Sequence, residues 1–175
     1  MNTLPEHSAV SRELMDLVLA PYLPPCRYMK QAFARVPDTA SANSSLVLHA
    51  DFVIPSSCYI NSTGHFNAVE SNICVNQLAY LLFAWSLRGA KDHPFSAEVG
   101  PFDMETFREK QLPNMWILSL QTSFRRAINP HGFQGTIEWT HATRTRTKLL
   151  LLEMSFRFSD GERGQAEGQV KFGIN

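Results

Sequence analysis

The stretch from Asn67 to Gly89, NAVESNICVNQLAYLLFAWSLRG, puts apolar residues around nearly its whole circumference when wound as a helix: Ala68, Val69, Ile73, Val75, Leu78, Leu81, Leu82, Phe83 and Trp85 share no single stripe. A helix of that kind has to be enclosed by the rest of the chain. Its ends are legible. Asn67 stands where an N-cap belongs, with Glu70 three residues on to complete a capping box; Thr63 or Ser62 would cap a slightly earlier start. Arg88 in the last turn and Gly89 after it form a stop signal. Asn67, Asn72, Asn76 and Gln77 lie on the same helix, and a buried amide without partners costs about 1 to 3 kcal/mol. These amides either satisfy one another and the backbone or line a pocket.

The flanking segments read as the enclosure. Residues 9–20 have the spacing of a short amphipathic helix, ended by the PYLPP corner that holds Tyr22. Residues 27–36 and 46–54 read as two strands joined by a polar connection, with His49 facing outward on the second. After the long helix, residues 90–102 read as a loop, and Asp103 caps a short helix to about residue 111. Four strands follow at 115–128, 133–143, 147–158 and 165–172, separated by NPHG, a basic turn near 144–146, and SDGERG. Consecutive hairpins make an antiparallel sheet, so two strands before the helix and four after it predict an α+β fold with the sheet wrapped around the helix. A length of 175 residues with 44% hydrophobic content is enough for one well-packed domain, residues 1–175.

Composition removes several classes of function. A formal net charge of zero argues against a general nucleic-acid binder. No apolar run approaches the roughly 18 residues that a membrane helix needs. The first residues, MNTLPEHSAVSRELMD, lack a basic segment leading into an apolar core, so a cytoplasmic location is expected. Cys26, Cys58 and Cys74 are odd in number and without metal-ligand spacing, as reduced packed thiols would be, and neither a metal nor a cofactor is expected.

The run Gly64-His65-Phe66 before the long helix resembles the turn of hot-dog dehydratases, in which a histidine beside a central helix does acid-base work on an acyl thioester. The longer run YINSTGHFNAVE (59–70), followed by NQLAY (76–80), is more specific and resembles the FcoT-like thioesterase family. The likeness extends more loosely from APYLPPCRY (20–28) to RRAINP (125–130) and the strands beyond. It implies a hot-dog fold and an enzyme of fatty acyl thioesters carried by acyl carrier protein or coenzyme A. In the family's specialised branch, glycine adds to the β-carbon of a 2-enoyl thioester and the product is released by hydrolysis. The alternatives are a plain acyl thioesterase and a non-catalytic acyl-binding subunit. The resemblance further implies a homodimer or a higher multiple such as a hexamer. It assigns His65, Tyr59, Asn67 and Asn76 to catalysis, and Tyr22, Ser62, Gly64, Phe66 and Glu70 to substrate contact.

The chemistry of these residue types is compatible with that assignment. Free backbone N–H groups at a helix N-terminus stabilise developing charge on a carbonyl oxygen, and the turn at His65, Phe66 and Asn67 is expected to place such groups beside an imidazole suited to proton exchange near neutral pH. Glu70 is open to two roles, capping or general base. Asn76 lies nine residues after Asn67, about half a turn around the helix, so the two reach one small group only if the pocket wraps the helix or uses two subunits. Dehydratases of this kind carry an acidic residue about four turns after the histidine, whereas Gln77, Leu78, Ala79 and Tyr80 stand here, which disfavours water elimination. Ser62 has no GxSxG context. Arg125, Arg126, Arg144, Arg146 and Lys148 cluster in sequence near adjoining hairpin ends, where two readings are open: a solvated surface, or a contact for coenzyme A phosphates or an acidic carrier helix.

Overall fold

The computed structural model describes residues 7–35, 45–61, 63–89 and 95–175. The polar connection expected after the first long strand lies largely outside these residues, as does Ser62. The chain opens with β1 (His7–Ala9) and α1 (Arg12–Leu19), capped by Ser11, whose hydroxyl accepts from the Leu14 N–H. A single 3-10 turn at Pro24–Cys26 leads into β2 (Met29–Arg35) and β3 (Leu46–Phe52). The long helix α2 spans Ala68–Gly89, followed by α3 (Ser96–Val99) and α4 (Met104–Lys110). Strands β4 (Met115–Arg126), β5 (Phe133–Arg144), β6 (Leu150–Ser159) and β7 (Gln165–Ile174) complete it.

All seven strands join one antiparallel sheet in the order β1-β2-β3-β5-β6-β7-β4. The connection through α2 carries the chain from β3 to the far edge, where β4 lies, and β5 then returns to the middle beside β3. Helix α2 packs on β2, β3, β4 and β5 and is flanked by α1 and α4. This is the expected hot-dog arrangement of a sheet around a central helix. Alternation along β5 and β6 sends Ile137, Trp139, Leu152, Met154 and Phe156 into the core, each fully buried side chain of this size stabilising the fold by about 1.5 to 3 kcal/mol.

Three expectations are corrected. Enclosure of α2 is complete only from Gln77 to Ser86; nearer its start Val69 is 47% exposed, Asn72 is exposed, and Ile73 and Asn76 are half-buried. These four have i, i+3, i+4, i+7 spacing, so the single subunit leaves one stripe uncovered. Second, β1 and α3 are present where no element was expected, being too short for any periodicity to reveal them. Third, the basic residues do not gather. Arg126 pairs in register with Gln165 at one end of the sheet, while Arg144 shares its row with Leu150, Ile174 and Met115 at the other, roughly 30 Å away at the rise of a strand. Arg144 serves the fold instead, since its guanidinium donates to the carbonyls of Glu98, Val99 and Lys148 and tacks α3 to the end of β5.

Candidate active site

The turn before α2 is anchored at one side chain and one amide. Phe66 is buried, and its ring lies 4.6 Å from Phe133, 5.0 Å from Phe158 and 6.1 Å from Phe124. The Phe66 N–H donates to the Ile128 carbonyl at 3.1 Å. Gly64 has φ +77°, a left-handed conformation that suits glycine, and it reverses the chain so that His65 emerges beside this anchor. The exposed His65 ring is itself oriented: Nδ1 lies 3.1 Å from the Thr63 carbonyl, and Thr63 Oγ1 donates back to the His65 carbonyl at 2.9 Å. A carbonyl only accepts, so Nδ1 donates in this contact and Nε2 is left for another partner.

Asn67 and Glu70 form a reciprocal cap. Asn67 Oδ1 accepts from the N–H groups of Val69 and Glu70 at 3.0 and 3.2 Å, and Glu70 Oε2 accepts the Asn67 N–H at 3.3 Å. The Tyr59 hydroxyl donates to the same Asn67 oxygen at 2.8 Å. Of the open readings for Glu70, the geometry shows capping.

The cap also changes the expected oxyanion donors. The amides of Phe66 and Asn67 are engaged, whereas among the described residues the N–H groups of His65 and Ala68 make no hydrogen bond. A third donor lies beside them: Asn67 Nδ2 is buried with no partner among the described residues. Its neighbour one turn on, Ser71, is fully buried with an unpartnered hydroxyl. Buried polar atoms are rarely left so; among the described residues this helix start holds polar atoms that no protein group takes up.

The structure groups His65, Asn67, Tyr59, Gly64, Phe66 and Glu70 at this one turn, but not Asn76 or Tyr22. Asn76 lies roughly 13 Å along the helix at 1.5 Å per residue, its amide donating to the carbonyl and side chain of Asn72 at 3.3 and 3.2 Å. Tyr22 packs against the core near Cys74 and Tyr80, and burial pushes its hydroxyl pKa upward. Burial also raises the Cys26 thiol to about 11, helped by its neighbour Cys58, and raises Cys74 well above its usual range. Neither Cys26 nor Cys74 is a thiolate at neutral pH.

Sequence reasoning missed Gln77 as a structural clamp. Fully buried, it accepts the Met29 N–H at 3.1 Å and donates to the Cys26 carbonyl at 2.6 Å, tying α2 to the start of β2. Its place where dehydratases carry an acid was the available signal. Reasoning also missed the cavity of about 380 Å³ that the turn shares with the end of β4, lined by His65, Phe66, Asn67, Phe124, Arg125 and Arg126.

A family model described as the FcoT-like thioesterase domain matches residues 17–174. The chain belongs to the FcoT-like thioesterase family. This FcoT-like chain is 35% identical over 162 residues to a protein of Streptomyces coeruleorubidus named (2E)-enoyl-[ACP] glycyltransferase, covering 90% of this chain and 92% of that one. A protein of the same name from Mycobacterium marinum is 32% identical, over 94% and 86% of the two chains. Among solved structures, zebrafish thioesterase superfamily member 2 superposes with TM-score 0.54 at 8% identity, covering 94% of the FcoT-like chain and 95% of its own. A conserved protein of Pseudomonas aeruginosa does so with TM-score 0.51 at 14% identity, over 95% and 100%. These two likenesses concern the fold.

Proposed function

We propose that this FcoT-like enzyme adds glycine to the β-carbon of a 2-enoyl thioester on acyl carrier protein and then hydrolyses the thioester, releasing an N-carboxymethyl-3-amino fatty acid. The observation that carries the reading is the helix start itself. Among the described residues it offers an oriented imidazole with Nε2 left for another partner, unengaged backbone N–H groups at His65 and Ala68, and the unpartnered amide of Asn67. The names of the relatives at 35% and 32% identity point to the same substrate class.

In the first step the glycine nitrogen bonds to the β-carbon, and the alkene electron pair moves through the α-carbon to the carbonyl oxygen, which becomes an enolate. His65 Nε2 takes the proton leaving the amine and returns it to the α-carbon. In the second step water bonds to the carbonyl carbon and the carrier thiol leaves with a proton. Negative charge develops on the same oxygen both times, so one set of donors at the helix start serves both steps.

The remaining polar groups suit a second subunit. β4 is an edge strand twelve residues long with Trp116, Leu118 and Phe124 exposed, and it runs beside α2 from Tyr80, whose hydroxyl donates to the Met115 carbonyl, to Phe66. Pairing two such edges about a two-fold axis removes the exposed edge. It also covers the stripe of Val69, Asn72, Ile73 and Asn76, which is how Asn76 enters a shared site.

The test is incubation with a 2-enoyl carrier protein, with and without glycine, following the released acid by mass. Release of an acid heavier by one glycine, only when glycine is present, supports the proposal. Glycine-independent release of the enoic acid as the sole product refutes it and leaves a plain thioesterase.

A further inference from the structure

The cavity beside His65 has an electrostatic character that the thioester does not account for. Its lining includes two basic residues, Arg125 and Arg126, beside His65, Phe66, Asn67, Ala68, Phe124 and Ala127. The two arginines are not equivalent. Arg125 is committed to the outer face, where its Nε and Nη2 donate to Glu167 Oε1 at 3.1 and 2.9 Å. Arg126 follows a register shift in β4 between residues 124 and 126, and among the described residues its side chain makes neither an ion pair nor a hydrogen bond. Among the described residues no carboxylate lines the cavity. Glu70, the nearest in sequence, is taken up by the cap. The cavity next to the basic imidazole therefore carries one uncompensated positive charge, on a group whose flat fork matches a carboxylate.

Size decides which anion belongs there. The site is a groove open to solvent with a volume of about 380 Å³, at the small end of ligand sites. With the thioester carbonyl at the helix start, the phosphate of a phosphopantetheine arm lies about a dozen bonds from the thiol sulfur, roughly 15 Å at ordinary bond lengths. It falls outside the cavity. An amino acid poised for attack fits inside: the β-carbon is two bonds from the thioester carbonyl, and the carboxylate carbon is two bonds from the attacking nitrogen.

We infer that Arg126 is a substrate-binding residue that holds the carboxylate of the α-amino acid nucleophile and so selects glycine over amines that lack a carboxylate. The inference rests on the proposed addition reaction. Arg126 acts by position and charge, taking two oxygens of the carboxylate and leaving the amino group toward the β-carbon, where His65 Nε2 accepts its proton. Tyr59, Asn67 and Asn76 are neutral and offer no equivalent partner for a full negative charge.

The experiment measures steady-state rates of adduct formation for the unaltered enzyme, Arg126→Gln and Arg126→Lys. Glycine and enoyl-carrier concentrations are varied separately, and glycinamide serves as the carboxylate-free competitor. Loss of a charge-assisted bidentate contact predicts that R126Q raises KM for glycine by about tenfold or more. KM for the enoyl carrier stays within about twofold, and the preference for glycine over glycinamide collapses, with R126K restoring part of it. Unchanged glycine KM and preference in R126Q, with the adduct still formed, overturn the assignment alone. A rise in carrier KM with glycine KM unchanged also overturns it, in favour of a phosphate contact. Absence of any glycine adduct from the unaltered enzyme overturns the underlying reaction, and the assignment with it.

Discussion

His65 is held by its own turn: Nδ1 donates to the Thr63 carbonyl, which leaves Nε2 for another partner. His65→Ala is therefore expected to lower turnover by about a hundredfold, in the range for one general acid-base group, while leaving the melting temperature within a degree or two because the ring is exposed. Paired kinetics and thermal melts check both halves. Gln77 predicts the opposite pattern. Gln77→Leu leaves the Met29 N–H and the Cys26 carbonyl without partners inside the core, at a cost of about 2 kcal/mol or more, which lowers the melting temperature by roughly 4 to 8 °C. Unchanged melting would mean that this clamp does not support the fold. The residue types at the site were legible from the run at 59–70, since a histidine, an amide and a capping carboxylate at those spacings have few other arrangements. The placement of Arg126 on the same cavity as His65 was not. It depends on β4 ending against the turn, and no local pattern encodes a contact between residues about sixty positions apart.

At the scale of elements, capping and alternation carried most of the information. Asn67 and Glu70 close α2 as a capping box, and Asp103 caps α4 by accepting the Thr106 N–H at 2.8 Å. The long strands fall where hairpin signals separate them. The uncovered stripe on the first turns of α2 was not legible because Val69 and Ile73 are apolar, and composition does not distinguish a core from a contact between subunits. The turn between β6 and β7 gives a prediction of its own. Asp160 accepts N–H groups from Asn129, Glu162 and Gly164 at 3.1, 3.0 and 2.9 Å, and these bonds, the one from Asn129 foremost, hold its carboxyl below the usual range. A carboxylate with a depressed pKa in the folded state stabilises above its unfolded value near 3.8 and loses that contribution as pH falls through the folded value. The melting temperature of Asp160→Asn should thus lie below that of the unaltered protein at about pH 6, the gap closing as the pH is taken below about 4. A gap independent of pH would refute the linkage.

For the whole molecule, the proposed edge pairing is open to direct measurement. Light scattering at micromolar concentration should give a dimer or a multiple of one, and Trp116→Lys with Leu118→Lys should yield monomers by placing charges along the exposed edge of β4. Monomers of the unaltered chain would count against edge pairing. The last consequence comes from Phe66. Because its ring is set among Phe133, Phe158 and Phe124, and its amide is bonded to Ile128, the turn that carries His65 is fastened to the body of the fold at the residue next to the imidazole. Active sites built on loops often fray before the body of a protein melts. Here heat inactivation should track global unfolding degree for degree, and the backbone amide of Phe66 should exchange with deuterium as slowly as those of the central strands.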